Sequence, residues 1–431
     1  MRTESLKHLL LATILSGTTN LLSQEFPLFN QKILHLDGEV LDVFQEDLNG
    51  DAASDILVLH NRSRFPEPHV DRLISIFLQD SGHFLDQPTQ TLTADQDEIL
   101  FDTGNIDGDT FPELVFLSED GIYARKYNGV RYSQTLHTVL KTPSVFLSHD
   151  PSKLRQYPFI RDLDSDTVPE LLIFQPHQLH IYSKSPEGDY TLTKKLWVSP
   201  DFTLSTRDDL TFSLHLPSLH LRDFNGDSIP DLLLISGDRL DVFLQYSSTT
   251  PDPHPSLTPP TLRYRMGFRM LTPSVLEPLA PPSITLNIRD LNRDGFVDLL
   301  LSKASRASFT TNISQVQIYL NRSRRFEHLP DQVLTAENFG GEYIVRDFNQ
   351  DNLLDLALFT FKIGFTQAAK FLITKKASNT FEFYLMRHNG TYPTKPDGKV
   401  SFSRKVRIGD ILGSGLCHSF DGDFNGDGIQ D

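Results

Sequence analysis

The chain has 431 residues, of which 39% are hydrophobic and 22% charged, with a formal net charge of −16 and one cysteine, Cys417. A single cysteine excludes an intrachain disulfide and a thiolate metal cluster, and so acidic a chain gives no reason to expect nucleic acid as a partner. No H-E-x-x-H, G-x-S-x-G, Walker A or dinucleotide fingerprint occurs, so no enzyme activity is assigned from motifs.

Residues 1–23 carry Arg2 and Lys7 ahead of the apolar run Leu9–Leu15. This pattern predicts a secretory signal, too short for a membrane span. The rest of the sequence offers no span either. Next, Phe29–Leu36 reads as the outer strand of a blade. From there one nine-residue phrase recurs seven times, at Asp47–Asp55, Asn105–Glu113, Asp162–Glu170, Asp223–Asp231, Asp290–Asp298, Asp347–Asp355 and Asp423–Asp431. Each copy places a carboxylate or amide oxygen at positions 1, 3, 5 and 9 and an apolar residue at position 2.

Oxygens at this spacing suit a tight loop around a hard cation such as Ca²⁺, which takes six to eight oxygen ligands. Position 7 is apolar, so a backbone carbonyl is expected to ligate there, with the position-9 carboxylate closing the shell. An EF-hand is excluded. Its twelfth loop residue is a bidentate Glu between helices, whereas here the twelfth residues are Val58, Phe116, Ile173, Leu234, Leu301 and Leu358, inside β-rich runs.

The phrases start 57–76 residues apart, a period that signals a modular fold. Each interval reads as a loop, an apolar strand, a second strand, a turn, a third strand and a strand entering the next loop. Second strands are expected at 74–78, 122–126, 179–182, 240–244, 316–320 and 371–374, and turns at 79–84, 127–130, 186–190 and 377–380. Four strands per unit make the blade of a β-propeller. The expected fold is therefore all-β: a seven-bladed propeller with four-stranded antiparallel blades and calcium loops. Its seventh blade is incomplete at the C-terminus, because the seventh loop ends at Asp431.

This recurrence resembles the FG-GAP/VCBS repeats of integrin α-subunit heads and of many bacterial surface proteins, over residues 26–431. The resemblance implies calcium ligands in every loop. In the first three these are Asp47, Asn49, Asp51, Ala53 and Asp55; Asn105, Asp107, Asp109, Phe111 and Glu113; Asp162, Asp164, Asp166, Val168 and Glu170. The next two are Asp223, Asn225, Asp227, Ile229 and Asp231, then Asp290, Asn292, Asp294, Phe296 and Asp298. The last two are Asp347, Asn349, Asp351, Leu353 and Asp355, then Asp423, Asn425, Asp427, Ile429 and Asp431. The second loop departs from the pattern with Asn105 at position 1, and the second and third with Glu113 and Glu170 at position 9. Arg293 and Gln350 stand where Gly is commoner. Seven such ions would cancel 14 of the 16 excess negative charges. Arg161, Arg222, Arg289 and Arg346 precede four loops and read as neutralising the adjacent carboxylates.

The resemblance also implies a secreted or cell-surface protein, extracytoplasmic and calcium-stabilised. It would act as a binding or adhesion module for a protein or polysaccharide, on the face opposite the calcium loops. Long connections there would gather Arg62, Arg64, Lys303, Arg306, Lys362 and Tyr392 into a basic, aromatic rim, unless they are simply solvated loops. The incomplete last blade invites association with other chains. Two alternatives stay open: a carbohydrate-active lyase or hydrolase using the top face, and a structural fragment of a longer surface protein.

Overall fold

The computed structural model describes residues 9–10, 33–64, 69–95, 97–145, 154–199, 201–205, 211–237, 239–244, 257–266, 283–306, 312–322, 324–337, 339–349, 351–361 and 376–405. Among these the chain forms six sheets of four or five strands in sequence order, the blades of a β-propeller. Blade 1 comprises Glu39–Glu46, Asp55–Arg64, His69–Phe77 and Gln90–Ala94. Blade 2 comprises Leu100–Gly104, Glu113–Leu117, Gly121–Arg125 and His137–Lys141, and blade 3 Ile160–Arg161, Glu170–Gln175, Gln178–Lys184 and Tyr190–Trp197. Blade 4 has Ser218–Arg222, Asp231–Ser236, Arg239–Phe243 and Leu262–Arg265. Blade 5 has Ser283–Arg289, Asp298–Arg306, Asn312–Tyr319 and Gln332–Glu337. Blade 6 has Phe339–Arg346, Asp355–Phe361, Lys376–Tyr384 and Gly398–Lys405.

The second strands of blades 2 to 5 are apolar on both faces because each lies between two neighbouring blades. In Glu113–Leu117 every residue is buried. Leu114 and Phe116 pack on Leu57, Leu59 and Ile74 of blade 1, while Val115 and Leu117 pack toward Ile160, Leu171 and Ile173 of blade 3. This is the period-2 alternation of a strand applied to a two-sided core. Leu172 and Phe174 meet Leu232 and Leu234, Leu233 and Ile235 meet Leu299 and Leu301, and Leu300 meets Leu356 and Leu358. Each buried Leu contributes about 1.5–3 kcal/mol of transfer free energy, so these seams hold the blades in order.

Several expectations are corrected. Among the described residues six blades are formed where the phrases predict seven: the seventh copy, Asp423–Asp431, lies outside the described residues, as does Cys417. In blade 6 the strand expected at 371–374 lies outside the described residues, and the turn expected after it is overturned. Ala377–Thr380, read as a turn, lies within Lys376–Tyr384, which pairs in turn with the outer strand Gly398–Lys405. Ser378 and Asn379 are turn formers by propensity. Phe381 and Phe383 bind the segment to its sheet by packing against Ala357, so tertiary burial overrides local preference. Two blades carry an unforeseen fifth strand in parallel pairing: Arg155–Gln156 on the innermost strand of blade 2, and Leu257–Thr258 on the outer strand of blade 3.

Of the signal-like start, only Leu9–Leu10 is described, paired antiparallel with Ile33–Leu34. Leu34 is buried against Val43, Ile56, Val58 and Phe77 on the face of blade 1 turned away from blade 2. Ile344, Phe348, Phe359, Phe381 and Phe383 make a similar apolar cluster on the face of blade 6 turned away from blade 5. No helix among the described residues is long and apolar enough to cross a membrane.

Candidate cation-binding loops

Each of the six described phrases joins the first strand of its blade to the second. Its shape follows from short backbone-to-side-chain bonds. The position-3 oxygen accepts the N–H of position 5 in all six described loops, from 2.9 Å at Asn49 to 3.3 Å at Asp164. One oxygen of the position-5 carboxylate accepts the N–H of position 7, at 2.7–2.9 Å. These Asx turns are what short polar side chains do best. Among the described residues the coil is left-handed at positions 4 and 6, with Thr110 of loop 2 the exception. Non-glycine residues accept that geometry at Ala52 (φ 65°), Ser165 (65°), Thr167 (73°), Ser228 (66°), Arg293 (56°) and Asn352 (70°).

The position-9 carboxylates are the most buried part of the site. Asp55, Glu113, Asp231, Asp298 and Asp355 are 0% exposed and Glu170 is 5% exposed. Each accepts the N–H of its own position 2: Leu48 at 2.9 Å, Ile106 at 3.0 Å, Leu163 at 2.8 Å, Phe224 at 2.9 Å, Leu291 at 3.0 Å and Phe348 at 3.0 Å. In blades 1, 5 and 6 the second oxygen takes a further N–H from the end of the third strand, at Gln79, Asn321 and Met386 (2.7–2.8 Å). The acid expected to close a metal shell thus clamps the loop onto its blade. Burial pushes Asp55 and Asp355 up to about 6, and Glu113, Glu170 and Asp298 up to about 7, with the N–H bonds opposing.

Where three carboxylates converge depends on position 3. In loops 1, 4, 5 and 6 an Asn stands there, and its amide donates to the position-5 carboxylate at 2.9–3.0 Å. In loops 2 and 3 position 3 is an Asp. Among the described residues, the acid triads whose ligand atoms lie within 4.8 Å of one another are Asp107, Asp109 and Glu113, and Asp162, Asp164 and Asp166. In loop 3 burial and then the neighbouring Asp166 raise Asp164. A triad of like charges with oxygen donors only is the donor set a hard cation fits.

Loop 2 differs in its partners. Lys126 Nζ donates to Asp107 Oδ2 at 2.5 Å. Burial alone would raise Asp107, but this bond and the charge of Lys126 hold it below the usual carboxylate range. Asn105 accepts from Gly108 N–H at 2.8 Å, and its amide nitrogen donates to the Asp109 carbonyl. Glu113 Oε1 is buried with no hydrogen-bond partner.

The loops are also stapled between blades, by residues the phrase does not contain. Tyr190 Oη donates to the Pro169 carbonyl at 3.1 Å and reaches Ile106 O of the previous loop at 3.4 Å. Tyr392, expected on an exposed rim, is 3% exposed and donates to Leu354 O at 2.6 Å. The signal for these tyrosines is an aromatic two or three residues after a glycine turn, as in Gly129–Tyr132, Gly188–Tyr190 and Gly390–Tyr392. The arginines before the loops do not all act as expected. Arg161 pairs with Asp102 of blade 2 at 3.3 Å, and Arg222 donates to the Leu221 carbonyl at 2.7 Å.

No family model matches the chain, and no curated protein matches it. Among solved structures, the chain is similar to a lectin of Agrocybe aegerita, described as recognising non-reducing terminal N-acetylglucosamine, at 12% identity and a TM-score of 0.45, over 88% of this chain and 91% of that one. It is also similar to a protein from Lactobacillus plantarum at 12% identity and a TM-score of 0.40, over 86% and 88% of the two chains. At these scores neither neighbour bears on function, and the β-propeller architecture rests on the six sheets themselves.

Proposed function

We propose that the chain is an exported, calcium-stabilised β-propeller of the FG-GAP/VCBS type that serves as a binding module for a protein or polysaccharide. The reading is carried by loop 3. Asp162, Asp164 and Asp166 converge within 4.8 Å, and among the described residues no cationic side chain pairs with any of them. Carboxylates gathered at that range repel unless a cation joins them. Affinities of extracellular modules, on the order of 10⁻⁴–10⁻³ M, would suit such shallow, exposed loops.

The partner surface would lie at the opposite end of the blades. Antiparallel pairing puts the connection between second and third strands away from the cation loop. In blade 1 the second strand has ten residues, Asp55–Arg64, against five for Glu113–Leu117 in blade 2. At roughly 3.4 Å per residue the blade 1 hairpin reaches about 17 Å further. Blade 5 repeats this with Asp298–Arg306 paired to Asn312–Tyr319. Calorimetric titration with calcium, paired with melting curves in excess chelator, tests the metal part. Binding in the millimolar range or tighter and a clear drop in Tm on chelation are expected, with one ion fewer in Asp166→Asn. No heat of binding and an unchanged melt would overturn it.

A further inference from the structure

The six described loops are not six equivalent cation sites, and the register of the sheets shows where they part. The residue after position 9 pairs across the sheet with Phe77, Arg125, Tyr182, Phe243, Tyr319 and Tyr384 in blades 1 to 6. The next residue along that third strand stands beside the loop. It is Leu78, Lys126, Ser183, Leu244, Leu320 and Leu385 in turn. Five blades place an uncharged side chain there and blade 2 places an ammonium.

That ammonium is engaged. Lys126 Nζ lies 2.5 Å from Asp107 Oδ2, and Asp107 Oδ1 is taken by the N–H of Asp109. At position 1 the loop departs again. In loops 1, 3, 4, 5 and 6 the second oxygen of the position-1 Asp accepts the N–H of position 6. Asn105 turns an amide N–H donor to the Asp109 carbonyl instead. Loop 2 therefore carries a donor at position 1, where the other described loops present an acceptor, and a tethered cation at position 3.

We propose that Lys126 is the resident cation of loop 2 and takes the place of a divalent ion there, so that blade 2 keeps its loop shape without metal. The physical reason is effective concentration. A charge tethered to the adjacent strand needs no recruitment from solution, whereas a free ion would have to displace it and accept an amide donor at position 1. The inference rests on the calcium reading of the other loops, and its test separates the two.

Calcium stoichiometry is measured by calorimetry and equilibrium dialysis for the wild-type chain, Lys126→Leu, Lys126→Arg and Asp166→Asn. Leu is the residue four other blades carry at this position, and the Lys126 side chain is half exposed, so the fold is kept. Lys126→Leu should bind one ion more than wild type, Lys126→Arg the same number, and Asp166→Asn one fewer. An unchanged count in Lys126→Leu, together with the loss of an ion in Asp107→Asn, would overturn the inference while leaving the calcium reading intact. If the wild-type chain binds no calcium, the calcium reading fails alone. Melting curves in chelator then decide the role of Lys126: Lys126→Leu should melt below wild type, and Asp107→Asn in that background should restore the difference. A Lys126→Leu melt equal to wild type there would overturn the inference.

Discussion

Tyr132 Oη donates to the backbone carbonyl of Leu48 at 2.7 Å, although the two residues are 84 apart in sequence. Leu48 is position 2 of loop 1, and Tyr132 belongs to blade 2 and also reaches Pro112 O of loop 2 at 3.1 Å. One hydroxyl therefore ties two neighbouring loops together. The same carbonyl is used elsewhere: Phe224 O accepts from Asn321 Nδ2, and Leu291 O from Leu354 N–H, both at 3.0 Å. Loop shape and blade order are thus coupled.

Tyr132→Phe removes that hydroxyl and leaves two carbonyls without their donor, in a site where Tyr132 is 1% exposed. The expected loss is about 1–3 kcal/mol, the range for orphaning a buried acceptor. Urea unfolding monitored by fluorescence measures it. A loss below the error of the fit would show that water replaces the hydroxyl.

The clamp and the ligand positions separate by mutation. Asp298 accepts Leu291 and Asn321 N–H groups with its two oxygens. Asp298→Asn turns an amide donor toward one of those N–H groups, so a loss of about 1–3 kcal/mol is expected with or without calcium. Asp294→Asn, in the exposed turn of the same loop, should cost little in chelator and act mainly by weakening calcium. Equal effects of the two substitutions in chelator would contradict this division.

Position 9 also sets a pH dependence for the metal-free protein. Burial holds Asp55 and Asp355 at about 6 and Glu113, Glu170 and Asp298 at about 7, against unfolded values of roughly 4. Between those limits the folded chain holds protons that the unfolded chain has released, so stability falls as pH rises. In chelator, Tm should therefore be higher near pH 5 than near pH 8. Calcium favours the charged carboxylates and should flatten or invert the slope. A metal-free Tm that rises steadily from pH 5 to pH 8 would refute the assignment.

Gly226 packs one loop against the next. Its φ is +76°, and a Cβ there would lie 2.7 Å from Phe296 Cε1, a side chain of loop 5. Gly226→Ala combines a left-handed backbone with an interblade clash. A loss of about 1–3 kcal/mol is expected, read as a Tm decrease, with partial rescue by Phe296→Leu. No rescue would place the cost in the backbone alone.

The sequence determined by itself that this is a β-propeller built on a repeated oxygen-rich loop. Positions 1, 3 and 5 bond to backbone only two to five residues away, and the apolar strands after each loop alternate locally, so both features are written in short stretches of chain. The start of the third strand in blade 6 reads as a turn because Ser378 and Asn379 favour turns, and only pairing with Asp355–Phe361 makes that segment strand. Other features required the tertiary structure throughout. The position-9 acids look like the other ligands in sequence, yet their burial and their second N–H partner come from a strand more than 20 residues away. Lys126 is 19 residues from Asp107, and nothing in the phrase marks it. Its charge enters loop 2 because the register of blade 2 sets the end of the third strand beside the loop, and that register is fixed by cross-strand burial rather than by any local signal.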